Sequence, residues 1–148
     1  IFRFGIPTDT PLAADYDGDG RVDAAVFRSG TWYIKGSTAG FRVTNFGQNG
    51  DVPVPADYDG DGAADLAVYR NGTWFALSAT AYTVKQYGGN AGDVPVPADY
   101  DGDGKTDLAI YRPSEGRWYI KRSGTAEGLN ADDTINLGEA GDTPVPAQ

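Results

Sequence analysis

The sequence predicts an all-β fold built from propeller-type blades of four antiparallel strands. Three observations predict it. The run Asp15-Tyr-Asp-Gly-Asp-Gly-Arg-Val-Asp23 returns at 57–65 and again at 99–107, each time 42 residues further on. Between the runs lie apolar segments of four to seven residues, rich in Val, Ile, Tyr, Trp and Phe and bounded by Gly, Pro, Asn or Asp, which is the pattern of short strands joined by turns. No 11-residue window carries the 3.6-residue period of an amphipathic helix. A period of about 40–45 residues with four strands per unit is that of a propeller blade.

Each unit divides the same way. The first strand is Pro11-Leu-Ala-Ala14, then Pro53-Val-Pro-Ala56, then Pro95-Val-Pro-Ala98. The second follows the aspartate run: Ala24 to Arg28, Leu66 to Arg70, Leu108 to Arg112. Ser29-Gly30 and Asn71-Gly72 are two-residue connections of the kind that favours tight hairpins, and they lead to third strands at 31–35, 73–77 and 117–121. The fourth segment runs to an aromatic residue or Leu followed by Gly, at 41–47, 82–88 and 134–138. The blade units are thus about 11–47, 53–88 and 95–138 of a single repeat domain spanning 1–148. The third is longer by seven residues, placed near Pro113–Gly116 and around 126–132. Phe2–Gly5 matches a fourth strand and Pro144–Ala147 a first strand, so an orphan strand is expected at each end. Three blades fall short of the four to eight that close a ring.

Composition excludes much of chemistry. The 148 residues include no Cys and no His, so there is no Ser-His triad, thiol nucleophile, imidazole or thiolate zinc site, or disulfide framework. A net charge of −9 argues against nucleic acid as a partner, and no apolar run is long enough for a membrane-spanning helix. The chain begins at Ile1 without Met, which reads as a mature, trimmed or excised form whose targeting segment is already gone.

The aspartate runs carry the chemistry. Carboxylates stand at loop positions 1, 3, 5 and 9: Asp15, Asp17, Asp19 and Asp23; Asp57, Asp59, Asp61 and Asp65; Asp99, Asp101, Asp103 and Asp107. Oxygens at alternate positions converge on one hard cation when the chain turns sharply, and glycines at positions 4 and 6 permit that turn. The backbone carbonyls of position 7, Arg21, Ala63 and Lys105, would add a neutral ligand. Four carboxylates favour Ca²⁺, which takes six to eight oxygens, over Mg²⁺, which keeps its waters. Twelve of the 18 Asp lie in these loops, and removing them would turn the net charge of −9 into +3. Such crowding repels itself unless a cation sits among the carboxylates. An EF-hand is not expected, because Val26, Val68 and Ile110 stand where its position-12 Glu would be.

Taken with the aromatic-Gly dipeptides Phe46-Gly47 and Tyr87-Gly88 and the following Leu-Ala-Val, these runs resemble the FG-GAP (VCBS-type) repeat of integrin α-subunit propellers and bacterial surface proteins. The resemblance covers essentially the whole chain. It implies a calcium-binding loop between the first two strands of each blade. Phe27-Arg28, Tyr69-Arg70 and Tyr111-Arg112 stand where that family has Gly-Ala-Pro, which points to the bacterial surface-protein branch.

Trp32, Trp74 and Trp118 recur at one position and read as inter-blade core, with sugar stacking as the sharper alternative. Arg28, Arg70 and Arg112 read as structural partners of a neighbouring loop carboxylate or carbonyl, with an anion or glycan contact as the functional alternative. Tyr16, Tyr58 and Tyr100 should point away from the metal and pack. Asn71-Gly72-Thr73 is a glycosylation acceptor pattern, but also a hairpin turn. The three glutamates form no acid/base pair. The expected function is a non-enzymatic, calcium-stabilised extracellular module for adhesion, surface structure or assembly, with three Ca²⁺ sites. Its partners would be other copies of itself, the remainder of a longer propeller, a glycan or a surface protein. The alternatives are a carbohydrate-binding propeller and a propeller appended to a secreted enzyme.

Overall fold

Pro, Asp and Gly break the chain often enough that no strand among the described residues exceeds six residues, and each short strand finds its partner across the nearest turn. The structure, a computed structural model, describes residues 4–124 and 132–145. The first blade is β1 (Thr10–Ala14), β2 (Asp23–Arg28), β3 (Thr31–Gly36) and β4 (Gly40–Asn45). The second is β5 (Val52–Pro53), β6 (Leu66–Arg70), β7 (Thr73–Leu77) and β8 (Tyr82–Gln86). The third is β9 (Val94–Pro95), β10 (Leu108–Arg112), β11 (Arg117–Lys121) and β12 (Asp132–Asn136). Each blade is a four-stranded antiparallel sheet in sequence order, as the repeat predicts.

The first strand differs between blades for a covalent reason. β1 runs unbroken through Ala13 and pairs down to Ala14–Asp23. Pro55 and Pro97 occupy the equivalent place in the other two. Without an N–H, proline cannot continue the ladder, so β5 and β9 stop after two residues and pairing resumes only as the isolated bridges Ala56–Asp65 and Ala98–Asp107. The fourth strands also end sooner than expected. Phe46, Tyr87 and Leu137 lie beyond β4, β8 and β12, where their carbonyls accept the indole N–H of Trp32, Trp74 and Trp118 at 2.8, 2.9 and 3.1 Å. The orphan strands expected at 2–5 and 144–147 fall largely outside the described residues, and the described Phe4, Gly5, Pro144 and Val145 are in no strand. The 126–132 insertion likewise falls outside them, apart from Asp132.

Ser29 and Asn71 both have φ +47°, and the glycines after them φ +90° and +85°. Two consecutive positive φ values give the hairpin turn whose twist matches its strands. Asn71 is exposed at that turn.

Two of the three buried clusters among the described residues join neighbouring blades, and the third lies within the last blade. One buried cluster joins Tyr16, Ala25, Phe27, Trp32 and Ile34 of the first blade to Leu66 and Val68 of the second. Another joins Val54, Ala67, Tyr69 and Trp74 to Leu108 and Ile110 of the third. Trp32 and Trp74 are 0% and 3% exposed, so they are core residues.

The connector entering each blade is pinned by the arginine–carboxylate pair expected from the sequence, and the structure identifies the acid. Arg28, Arg70 and Arg112 each clasp a connector carboxylate through two nitrogens: Asp9, Asp51 and Asp93. Each guanidinium also lies 4.6–4.8 Å over the ring of Tyr33, Phe75 or Tyr119. The carboxylates are nearly enclosed, their side chains 1–3% exposed. Arg28 holds the Asp9 carboxyl below its usual range. Burial pushes Asp51 up, but hydrogen bonds from Arg70 and the Gln48 N–H outweigh it and leave its pKa lowered. A lowered folded pKa means that stability present above about pH 4 is lost as the pH falls through the folded value. Arg70→Leu is therefore expected to cost about 2–3 kcal/mol at pH 7, as an enclosed carboxylate loses its charged donors. It should also flatten the acid limb of a plot of urea midpoint against pH. An acid limb as steep as that of the unaltered protein would refute the assignment.

Candidate metal centres

The aspartate loops join the first and second strands of each blade and sit side by side at one end of the molecule. They are hydrogen-bonded in a row: the Ala64 N–H donates to the Asp15 carbonyl and the Thr106 N–H to the Asp57 carbonyl, both at 2.7 Å. The sequence folds each loop by the same local means. The position-1 carboxylate accepts the backbone N–H groups of positions 4, 5 and 6. For Asp15 these are Gly18, Asp19 and Gly20 at 2.7, 3.2 and 2.7 Å, and Asp57 and Asp99 repeat the pattern. Both loop glycines take positive φ throughout, from +73° to +89°. The position-5 carboxylate then accepts the position-7 N–H, from Arg21, Ala63 and Lys105, at 2.8 Å each.

This curl gathers carboxylates. Ligand-capable oxygens of Asp15, Asp17 and Asp19 lie within 4.8 Å of one another, as do those of Asp57, Asp59 and Asp61. In the third loop the group is Asp99, Asp101 and Asp107. Asp103 lies outside that group; it accepts the Ser123 hydroxyl at 2.7 Å, as Asp19 accepts the Ser37 hydroxyl in the first loop, and the Ser123 bond and the Lys105 N–H hold its carboxyl below the usual range.

Position 9 is the buried root of each loop. Asp23, Asp65 and Asp107 are 2%, 5% and 0% exposed, and each accepts the position-2 tyrosine N–H at 2.9 Å. Of the twelve predicted carboxylates, nine thus fall into the three close groups, while Asp23, Asp65 and Asp103 lie outside them. Burial pushes the Asp65 carboxyl up to about 6, and the charges of Asp59, Asp57 and Asp61 add to the rise. A cation among these groups would relieve that repulsion.

One atom tests the fit directly. Asp17 Oδ2 accepts three hydrogen bonds, from the Thr38 N–H, the Thr38 hydroxyl and the Ala39 N–H, each at 2.9 Å. Asp17 Oδ1 is buried and has no hydrogen-bond partner. A buried carboxylate oxygen with nothing to accept is costly, and it lies among carboxylates that also need a positive charge. The clusters can hold a metal ion, and with oxygen donors alone the chemistry is that of a hard cation.

The tyrosines pack as expected. Tyr16 is 3% exposed, whereas Tyr100, with no following blade beside it among the described residues, is 36% exposed. Tyr58 and Tyr100 donate their hydroxyls to the Val54 and Val96 carbonyls at 2.8 and 2.7 Å.

A family model described as the FG-GAP repeat matches residues 91–128, a span that contains β9, the third aspartate loop, β10 and β11. That part of the chain is similar to repeats of propeller modules generally involved in adhesion or binding. No curated protein and no solved structure matches the chain.

Proposed function

We propose that the chain is a non-enzymatic, calcium-stabilised extracellular propeller module serving adhesion, surface structure or assembly. The observation that carries this reading is the threefold carboxylate convergence, with the unpartnered Asp17 Oδ1 at the first site. Calcium tolerates the irregular geometry of such loops. Weak sites suffice outside the cell, where the medium supplies millimolar calcium, and that supports secretion. Position-7 carbonyls would complete each shell. The non-enzymatic part is supported by the absence of His and Cys and by the engagement of Glu115, which accepts the Tyr119 hydroxyl and pairs with Arg112 and Arg117.

Two further observations support binding or assembly. The fourth strands turn apolar side chains to solvent: Phe41 and Val43, Tyr82 and Val84, and Ile135 are 45–62% exposed. Such edges invite a partner. Asp142 repeats the connector geometry of Asp9, Asp51 and Asp93, accepting the Glu139 N–H at 2.8 Å, but no arginine pairs with it among the described residues. Another copy or another blade of the same kind would supply one. Calorimetric titration tests the reading. Three Ca²⁺ per chain are expected, with dissociation constants of about 10⁻⁴–10⁻³ M and weaker Mg²⁺ binding. A chain that takes up no Ca²⁺ at 10 mM, roughly ten times the weakest of these constants, would overturn it.

A further inference from the structure

The three aspartate loops are not supported alike, and the difference lies in the turns that face them. In the first blade the turn between β3 and β4 folds back onto the loop. The Ser37 N–H donates to Asp23 Oδ1 at 2.6 Å and its hydroxyl to Asp19 Oδ2 at 2.5 Å. In the third blade Ser123 repeats both bonds, its N–H to Asp107 Oδ1 and its hydroxyl to Asp103 Oδ2, at 2.7 Å each. One serine thus ties the position-5 carboxylate to the buried position-9 carboxylate in both loops.

The second blade lacks this serine for a reason of length. Ser37 and Ser123 each stand five residues after their tryptophan, and the residue five after Trp74 is Ala79. The turn is also one residue shorter: residues 36–40 separate the paired Lys35 and Phe41, whereas residues 78–81 separate Leu77 and Tyr82. Ser78 comes one place too early and makes its bonds within the turn. Its hydroxyl accepts the Thr80 and Ala81 N–H groups at 3.3 and 3.0 Å, and its N–H donates to the Ala81 carbonyl at 2.9 Å. Among the described residues, no hydrogen bond joins 78–81 to Asp59, Asp61 or Asp65, and the Asp65 carboxylate accepts only the Tyr58 N–H.

We propose, resting on the calcium reading above, that Ser37 and Ser123 are positioning residues for the metal, and that the second loop, which has none, is the weakest of the three sites. A carboxylate already held by a hydrogen bond loses less freedom when it meets the cation, and losing such an outer partner typically costs about 10–100-fold in metal affinity. Each serine touches two carboxylates of its loop, so it fixes their separation as well as their direction. Bond and cation do not compete for the same electrons, because an ionised carboxylate offers about four acceptor sites. Asp19 uses two of them, for the Arg21 N–H and the Ser37 hydroxyl.

The probe is Ca²⁺ alone, titrated into the metal-free chain while the amides of Gly20, Gly62 and Gly104, one in each loop, are followed by NMR. Gly62 should need about tenfold more calcium than the other two to reach its midpoint. Ser37→Ala should raise the Gly20 midpoint about tenfold and leave that of Gly104 in place. Ser37→Thr keeps the hydroxyl and should hold the Gly20 midpoint. A glycine inserted between Leu77 and Ser78 gives the second turn the first one's length and carries Ser78 to the place of Ser37. It should bring the Gly62 midpoint down toward that of Gly20. No response at any of the three amides at about 10 mM, roughly ten times the weakest constant expected, overturns the calcium reading and the serine assignment with it. Three equal midpoints in the unaltered chain, or a Gly20 midpoint indifferent to Ser37→Ala, overturn the serine assignment alone.

Discussion

Raising calcium to a hundred times its dissociation constant is expected to stabilise the fold by about 2.7 kcal/mol at each occupied loop, because the cation binds the folded chain and has no assembled site in the unfolded one. Three loops make this the largest effect predicted here. It should appear as a higher urea midpoint in calcium than in excess chelator. The size follows from mass action, and the affinity behind it draws on repulsion that the fold already contains. Asp65 is pushed up to about 6 by burial and by its loop neighbours, and Asp17 keeps one buried oxygen without a partner. Asp17→Asn should remove the first loop's share of the calcium effect and leave the other two. A midpoint that ignores calcium would mean that these loops are held by their own backbone hydrogen bonds alone.

Trp32→Ala is expected to cost about 3–5 kcal/mol, the range for truncating a large buried aromatic side chain. Trp32 is fully enclosed. Its ring meets Phe27 edge-on at 5.2 Å and Tyr16 at 6.5 Å, and its N–H satisfies the Phe46 carbonyl. Alanine would leave a cavity between two blades and a carbonyl without its donor. Against a typical domain stability of 5–15 kcal/mol, that is a large fraction, and denaturant unfolding followed by circular dichroism would show it. Trp118 is the internal comparison. It makes the same bond to Leu137 but is only partly buried, so Trp118→Ala should cost clearly less. Equal costs would mean that burial between blades is not what gives this tryptophan its weight.

Much of this was written in the sequence. The 42-residue recurrence places the strands because a repeated unit must bury the same face against its neighbour each time. The glycines of the aspartate runs foretell the loop backbone, because only a positive φ lets position 1 collect three N–H groups. The split first strand was legible only in part: Pro55 and Pro97 are visible in the sequence, but nothing in it says that Ala13 keeps β1 whole. That the three arginines pair with a carboxylate was legible, but not that the acids are Asp9, Asp51 and Asp93, although each stands 19 residues before its arginine. Constant spacing alone does not say which side chains meet. The serine contacts of Asp19 and Asp103 join residues 18 and 20 apart, and no local pattern encodes them.

The ion-paired connectors have a mechanical consequence. Each pair closes a loop within its own 42-residue unit, so tension applied at the two ends of the chain meets a series of similar latches in place of one continuous weave. Blades would give way singly. Each regular unit would release about 140–150 Å of slack, and the longer third unit, at 49 residues from Pro95 to Pro144, about 160–175 Å. A force trace would show one longer step beside the shorter ones, wherever it falls in the order of yielding. Drawn out from its ends, such a chain would lengthen in stages, dissipating work at each latch.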